Sequence, residues 1–395
     1  MQLSFRFTGD LDCRGHARAV NGFWLPVASR LRVIANLYSS GKKKSAKAHA
    51  RQLLQWHRAK IWAAGLAIGF DDIDAIHALS REIDCFASDA RGTVEWWQEP
   101  KRSGRGFRPV CKLPPRLLAE HYLVKLVLEA QLVPNQHLYG IKRRGRDVEA
   151  QQIKRAAEEG YRWCSVGDLR DCFQSVDPEA LYDTLPLPRN VIGNCLDYRR
   201  LTFQQTIENE ADTIPFTHRR PNGPRGLIQG SPTSNVALAL LLNDLPAAVA
   251  PHDCKVFLIS DNLFIASRDQ ETGRMINTLV QEYFSGHRAG PFELHQTHSS
   301  AIENGIEHQG YFFQAHETGV SIEPTHVGYE NIYRALNEAF AQAEDEGNCR
   351  PLFFALHRRL SGYNAWTSRR QFAEAVIHLF PDEALRPAAT EFDEC

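Results

Sequence analysis

The chain has 395 residues, too many for one ordinary compact domain, and its 43% hydrophobic and 24% charged residues are those of a globular protein. A formal net charge of −1 argues against a protein that coats nucleic acid by bulk charge alone. No run of about 18 apolar residues occurs and the opening MQLSFRFTGDLDCRGHARAV lacks the basic-then-apolar order of a secretory leader, so a cytoplasmic protein without a membrane partner is expected.

In chain order, the first 95 residues read as mostly helical, with Trp24, Leu31, Val33, Ile34 and Leu37 followed by a basic segment and the apolar LLQWHRAKIWAAGLAI. Residues 71–89 predict a helix that starts near Asp71-Asp72 and carries Ile73, Ile76, Leu79 and Ile83 on one face. A Gly/Arg-rich turn region at 101–108 precedes a helix over 114–132 with prolines at its opening. RWCSVGDL (162–169) is a short strand that runs into Asp168, and Asp177-Pro178-Glu179 is a helix start with an Asp cap. After the polar, Gly/Pro-rich 207–226, GLIQGSPTSNVALALLLNDL moves from a turn into a long apolar helix. KVFLISDNLFIAS (255–267) places two β-rich runs around Ser260-Asp261-Asn262, a hairpin signal. Strand-like GPFELH, EHQGYFF and GVSIEP follow, and the chain reads helical again from about 327. Helices, then mixed elements, then helices make an α+β core with helical flanks.

Nine cysteines are scattered without a C-x-x-C pair, which points away from zinc and disulfide frameworks. Cys111, Cys164, Cys172 and Cys254 lie in apolar stretches and are expected as buried thiols. Positive charge gathers at 41–52, 100–108 and 142–146 and at Arg219, Arg220 and Arg225, whereas PDEALRPAATEFDEC at the end is acidic. Four basic clusters point to a polyanion groove.

Nucleotidyl transfer uses two divalent metals because charge develops on both the attacking and the leaving oxygen. Magnesium accepts carboxylate oxygens and keeps several waters, so carboxylates on neighbouring strand ends suffice. Asp168 at one strand end and Asp261 in the hairpin supply such a pair if their strands are neighbours.

Read together, these stretches resemble the bacterial reverse transcriptases, the family of group II intron, retron and defence-associated enzymes. EPKRSGRGFRPVCKLPPRLLAEHYLVKLVLEAQLVPNQHLYGIKRRGRDVEA (99–150) is similar to the family's fingers, and GDLRDCFQSVDPEALY to the first catalytic motif of its palm. GLIQGSPTSNVALALLLNDL is similar to the Gln-Gly-Ser-Pro motif, and KVFLISDNLFIAS takes the place of the Tyr-x-Asp-Asp hairpin. FELHQTHSSAI and HQGYFF sit where the next motif and the primer-grip hairpin belong, and LSGYNAW resembles a thumb element. The resemblance implies a right-hand polymerase of fingers, antiparallel palm sheet and thumb, with a helical region at 1–98, fingers and palm at 99–326 and a helical thumb at 327–395.

The resemblance also implies roles. Asp168 and Asp261 would hold Mg²⁺, with Mn²⁺ as the alternative ion, and Asn262 stands in the catalytic hairpin. Lys101 and Arg108 suit a triphosphate, a point charge and a planar fork. Phe173 corresponds to the ring that excludes a 2′-hydroxyl, and Gln229 and Gly230 approach the nucleotide. Lys142, Arg143, Arg144, Ser231, Pro232, Gly310 and Tyr311 fall where the family meets template and primer. His298 stands about where the family carries a Lys near the pyrophosphate.

The larger departure is in the hairpin itself, with Ile259 for the family's Tyr and Asn262 for its second Asp. Loss of one unit charge beside a divalent ion weakens the site by several kcal/mol at about 4 Å and an effective dielectric near 20. An amide oxygen still coordinates, and polymerases of non-segmented negative-strand RNA viruses work with Gly-Asp-Asn in this place. The expectation is an RNA-templated DNA polymerase, most like the free-standing defence-associated reverse transcriptases. It would act on dNTPs, a template or non-coding RNA and a DNA product, with a second protein or a second copy as further partner. The alternatives are a nucleic-acid-binding subunit that has lost chemistry at Asn262 and a template-independent nucleotidyl transferase.

Overall fold

The computed structural model describes residues 13–89, 91–100, 107–133, 138–141, 144–206, 226–249, 251–346 and 350–378. Lys101, Lys142, Arg143, the Arg219, Arg220 and Arg225 cluster and the acidic tail lie outside them, as does the side chain of Arg108.

The helices α1 (Cys13–Ser39), α2 (Lys43–Gln55), α3 (His57–Ile68) and α4 (Ile73–Glu82) come first. The Asp72 carboxylate caps α4 by accepting from the Ala75 amide at 2.9 Å. That helix stops at Glu82, short of the predicted 89, because Asp84 turns the chain by accepting from the Phe86 amide at 2.9 Å. Its face buries Ile76, Leu79 and Ile83, but Ile73, in the first turn, is 47% exposed. Strand β1 (Thr93–Pro100) opens within the region expected to be helical and pairs antiparallel with β2 (Phe107–Lys112). Pro115 then starts α5 (Pro115–Gln131) where its missing N–H costs nothing.

Next come α6 (Arg146–Glu158), β3 (Trp163–Arg170), α7 (Cys172–Ser175), α8 (Pro178–Thr184), α9 (Arg189–Cys195) and β4 (Thr202–Gln205). Asp177 caps α8 as predicted, its side chain accepting from the Glu179 amide at 3.0 Å. The long apolar helix expected after the Gln-Gly-Ser-Pro stretch is two short ones, α10 (Ser234–Leu241) and α11 (Leu245–Val249). Pro246 explains the break, since it has no N–H to donate to the carbonyl of Leu242 in a continuous helix. The remaining elements are β5 (Cys254–Ile259), β6 (Asn262–Ser267), α12 (Gln270–Ser285), β7 (Glu293–Ala301), β8 (Ile306–His308), β9 (Tyr311–His316), β10 (Gly319–Pro324), α13 (His326–Glu346), α14 (Arg350–Leu360) and α15 (Arg369–His378).

The chain divides into two compact units, each assembled from three segments. One comprises Met1–Asn135, Asp171–Asn243 and Gly286–Phe292. It holds α1–α5 and a sheet of order β2-β1-β4, in which β1 and β4 run parallel from Thr93 against Thr202. Val94, Trp96, Cys111, Leu117, Tyr198 and Ile228 form a core around that sheet.

The other unit comprises Gln136–Arg170, Asp244–Ser285 and Glu293–Cys395. Its centre is an antiparallel sheet of order β5-β6-β3-β7. Alternation along β3 turns Cys164 and Val166 to one face, where they pack with Phe264 and Ala266 of β6, Ala150 and Ile153 of α6, and Tyr311 and Phe313 of the second sheet, β10-β9-β8. On the opposite face Ser165 receives a hydrogen bond from the Asn277 amide of α12 at 3.0 Å. The helices α13–α15 build their own core from Ile332, Leu336, Leu356, Leu360 and Trp366. The result is a mixed helix-and-sheet fold, and no helix among the described residues is long and apolar enough to cross a membrane. Cys111, Cys164 and Cys172 are buried as expected, whereas Cys254, at the open start of β5, is only partly covered.

Candidate active site

The candidate site lies at one end of the β5-β6-β3-β7 sheet. The hairpin between β5 and β6 closes on two residues, Ser260 and Asp261, with Ser260 in the left-handed region at φ 57°. Asn262 is therefore the first residue of β6 rather than part of the turn, and its ladder partners are Ile259 on β5 and Asp168 on β3. Directly opposed residues of antiparallel strands share a face. On β7, the partner of Asp168 is His295. One row thus crosses four strands: Ile259, Asn262, Asp168 and His295.

Two bonds fix the turn. The Leu169 amide of β3 donates to the Asp261 carbonyl at 2.8 Å, and the Asn262 side-chain amide donates to the Asp261 carboxylate at 2.8 Å. An aspartate at position 262 could not make the second bond. A third support comes from the segment before α6. The Tyr139 amide donates to the Leu258 carbonyl at 2.8 Å, and Leu138 bridges to Leu258 in parallel. Gly140 then lies so close to the turn that a Cβ there would come within 2.9 Å of the Ser260 nitrogen.

The donor set suits a hard divalent cation: the Asp168 and Asp261 carboxylates and the Asn262 amide are oxygen donors, and all three residues are partly exposed. Among the described residues no group of three His, Cys, Asp or Glu side chains is arranged to hold a metal, so the fit is to an ion that keeps several waters.

His298, expected near the pyrophosphate, is exposed on β7 opposite Val166. A bulge adjoins it. Between Val166 and Gly167 the register on β7 moves from His298 to Gln296, leaving Thr297 as the extra residue and bringing His295 across from Asp168. Sequence reasoning missed His295, because an inserted residue in a ladder leaves no mark in composition.

The Gln-Gly-Ser-Pro loop belongs to the other unit. The Cys111 amide of β2 donates to the Gln229 carbonyl at 3.0 Å, and a Cβ on Gly230 would meet the Cys111 carbonyl oxygen at 2.6 Å. Gly230, at φ 95°, is thus required by the approach of β2. The side-chain oxygen of Gln229 is buried and has no hydrogen-bond partner among the described residues. The Ser231 hydroxyl is 2.6 Å from Nδ1 of His121 and 2.7 Å from the Thr233 hydroxyl, and Pro232 is partly buried in the turn between them. His121 is 1% exposed, and burial pushes its pKa down to about 4. Phe173 is partly buried on α7, where its carbonyl accepts from the Leu227 amide at 2.6 Å.

Two expectations for nucleic-acid contact need correction. Tyr311 is 0% exposed; its ring is part of the core and its hydroxyl donates to Asp147 at 2.6 Å. Burial, with the Asp147 carboxylate, holds that phenol well above its ordinary pKa. Arg144 folds back on its own loop, donating to the Leu138 carbonyl at 2.9 Å and lying 5.6 Å from the Tyr139 ring. Gly310 forms, with Gln309, a two-residue turn at φ 80° and 51°, the mirror-image geometry that tight hairpins favour.

No protein-family model and no curated protein matches the chain. Among solved structures it is similar to the telomerase of Candida albicans in complex with a TWJ fragment of telomeric RNA, at 9% identity and TM-score 0.45 over 78% of this chain and 67% of that one. It is similar to the apo telomerase of Candida tropicalis truncated from its C-terminal domain, at 11% identity and TM-score 0.37 over 58% of this chain and 55% of that one. A third likeness is to the Sicinivirus 3Dpol RNA-dependent RNA polymerase, at 10% identity and TM-score 0.40 over 66% of this chain and 58% of that one. The chain thus spans between about half and two thirds of the length of these structures.

Proposed function

We propose that the chain is an RNA-templated DNA polymerase whose palm is the β5-β6-β3-β7 sheet. One observation carries the reading: two stretches 93 residues apart in sequence, ending in Asp168 and opening at Asp261-Asn262, are neighbouring strands with their carboxylates at the same sheet end. Carboxylates brought to one place by long-range pairing are the arrangement that a nucleotidyl transfer site needs.

When bound there, Mg²⁺, or Mn²⁺ in its place, would lower the pKa of the primer hydroxyl and neutralise charge on the phosphates. Asp168 and Asp261 would hold the ion, and Asn262 orients the Asp261 carboxylate by a hydrogen bond donated from its side-chain amide. Lys101 and Arg108 would take the triphosphate, Phe173 the sugar, and Gln229 and Gly230 the nascent base pair. Ser231, Pro232, Gly310 and the basic Lys142 and Arg143 would line the path of template and primer, with fingers and palm within 99–326 and the thumb at 327–395. The biological setting of this proposal is defence against phage with a dedicated non-coding RNA.

Asn262 favours a second reading, a nucleic-acid-binding subunit whose chemistry is weakened. Purified protein with its co-purifying RNA, incubated with Mg²⁺ or Mn²⁺ and each labelled dNTP beside an Asp168→Ala, Asp261→Ala double variant, separates the two. Polymer that vanishes in the variant supports the polymerase. Absence of polymer from both, with RNA retained, supports the binding subunit.

A further inference from the structure

Residues 13–70 contain eleven Lys and Arg and not one Asp or Glu. At the chain's average of 47 acidic residues in 395, about seven would be expected in a stretch of that length. The remaining residues hold 35 Lys and Arg against 47 Asp and Glu, so a near-neutral net charge conceals a strongly basic segment beside an acidic remainder. The segment is α1–α3 and its connections.

Among the cations whose side chains are described, most are on the outside. Lys42, Lys43, Lys44, Lys47, Arg51 and Arg58 are all exposed. None of the six makes an ion pair with a described residue, which sets them apart from surface arginines such as Arg162, paired with Glu303 at 2.9 Å, or Arg370, paired with Glu374 at 2.9 Å. Lys43, Lys47 and Arg51 recur every fourth residue along α2 and make a stripe about 12 Å long at 1.5 Å per residue. Arg51 also lies 5.5 Å from the Phe86 ring and Lys43 5.8 Å from the Tyr38 ring, contacts that hold both heads beside aromatic faces.

Like charges this dense repel one another and cost stability unless a partner neutralises them. An anionic membrane is disfavoured as that partner. The apolar side of α2, with Ala46, Ala50, Leu53 and Leu54, is already buried within the unit, so the helix has no face left to insert. A polyphosphate backbone needs charge alone.

We infer that the α1–α3 face, with the Lys43–Lys47–Arg51 stripe at its centre, is an RNA-backbone docking surface on the unit that does not carry Asp168 and Asp261. The inference stands whether or not that sheet polymerises.

The test uses the full chain stripped of co-purifying nucleic acid, a fluorescein-labelled single-stranded RNA, and anisotropy titrations across a series of salt concentrations. A Lys43→Gln, Lys47→Gln, Arg51→Gln variant is compared with Arg162→Gln, Lys154→Gln, Arg370→Gln, which removes the same charge from ion-paired positions of the other unit. Circular dichroism establishes that both variants are folded. The α2 variant is expected to lower RNA affinity at least tenfold and to reduce the slope of log K against log salt by about two, at roughly 0.7 per lost phosphate contact, with the control unchanged. Equal losses in both variants, or none in the α2 variant, overturn the inference. So does undiminished RNA binding accompanied by lost binding to vesicles containing phosphatidylserine, which would make the face a lipid surface.

Discussion

Asp168 and Asn262 are direct cross-strand partners in the β3–β6 ladder, so the amide side chain at 262 belongs to the residue beside the first candidate metal ligand. Its amide does something a carboxylate cannot, donating to Asp261 at 2.8 Å and holding that side chain without the help of a cation. An aspartate at 262 would exchange this bond for repulsion between adjacent carboxylates, relieved only when a metal binds.

The Asn262→Asp variant is therefore expected to be less stable than the native protein in EDTA and to gain more from Mg²⁺. Thermal melts with and without the ion should show the larger metal-dependent rise in the variant. In polymerisation assays the Mg²⁺ concentration at half-maximal rate should fall tenfold or more, which is less than the full worth of one added charge at about 4 Å. Equal metal dependence in the two proteins would mean that position 262 faces no ion.

Gly140 should be the residue most sensitive to a single methyl group in the same region. Its φ is not in the left-handed range, so alanine is conformationally allowed and only space opposes it. A Cβ at 2.9 Å from the Ser260 nitrogen must move the hairpin turn or the segment bonded to Leu258. Gly140→Ala is expected to cost about 1–3 kcal/mol of stability, as overpacking does, and to lower the polymerisation rate at saturating dNTP by tenfold or more. RNA affinity should be unchanged. Chemical denaturation and primer extension on the same preparation test both halves.

Much of this was written locally in the chain. Asp72 and Asp177 cap the helices they precede, Pro115 opens α5, and the apolar runs around Ser260 and Asp261 pair as a hairpin. Neighbouring strands β3 and β6 were needed for Asp168 and Asp261 to meet, and they are neighbours. Other features depend on distant backbone. Gly230 is shaped by the carbonyl of Cys111, and His295 rather than Gln296 pairs with Asp168 because of one extra residue in β7. Tyr311 is a different case: Tyr311, Phe313 and Ala315 alternate as an inward strand face does, and that period was readable. The resemblance to a primer grip implies a ring turned toward nucleic acid, and the period of the strand outweighs it.

Acid should loosen the Ser231 loop through His121. The buried imidazole has its pKa pushed down to about 4, below the 6.5 of an unfolded histidine. Between those values the unfolded chain binds more protons, so unfolding free energy falls as pH falls from about 6.5 to about 4 and is insensitive to this group above 6.5. The full loss is about 3 kcal/mol, from roughly 1.4 kcal/mol per pH unit. Melting curves over pH 4–8 should show this decline, and His121→Gln should flatten it between pH 6.5 and 4, whatever its effect at neutral pH. The carboxylate of Asp197 is held below its usual range by Arg199 and Tyr182 against the opposing effect of burial. Its contribution is lost only at still lower pH, which keeps the two windows apart.

The inward placement of Tyr311 separates a core role from a nucleic-acid role by substitution. Tyr311→Phe keeps the ring that packs among Phe313 and Tyr363 but removes the hydroxyl that donates to Asp147 at 2.6 Å and accepts from the Ala365 amide at 3.3 Å. It should cost about 1–3 kcal/mol, since a charged acceptor loses one of its partners and a buried amide loses its own. Tyr311→Ala should cost about 3–5 kcal/mol, the range for emptying an aromatic site in a core. RNA affinity, read by anisotropy on the folded Tyr311→Phe protein, should match the native value. A stability near native combined with weakened RNA binding would instead mean that the ring leaves the core to meet the strand, and the β8–β9 turn would then have to open for that to happen.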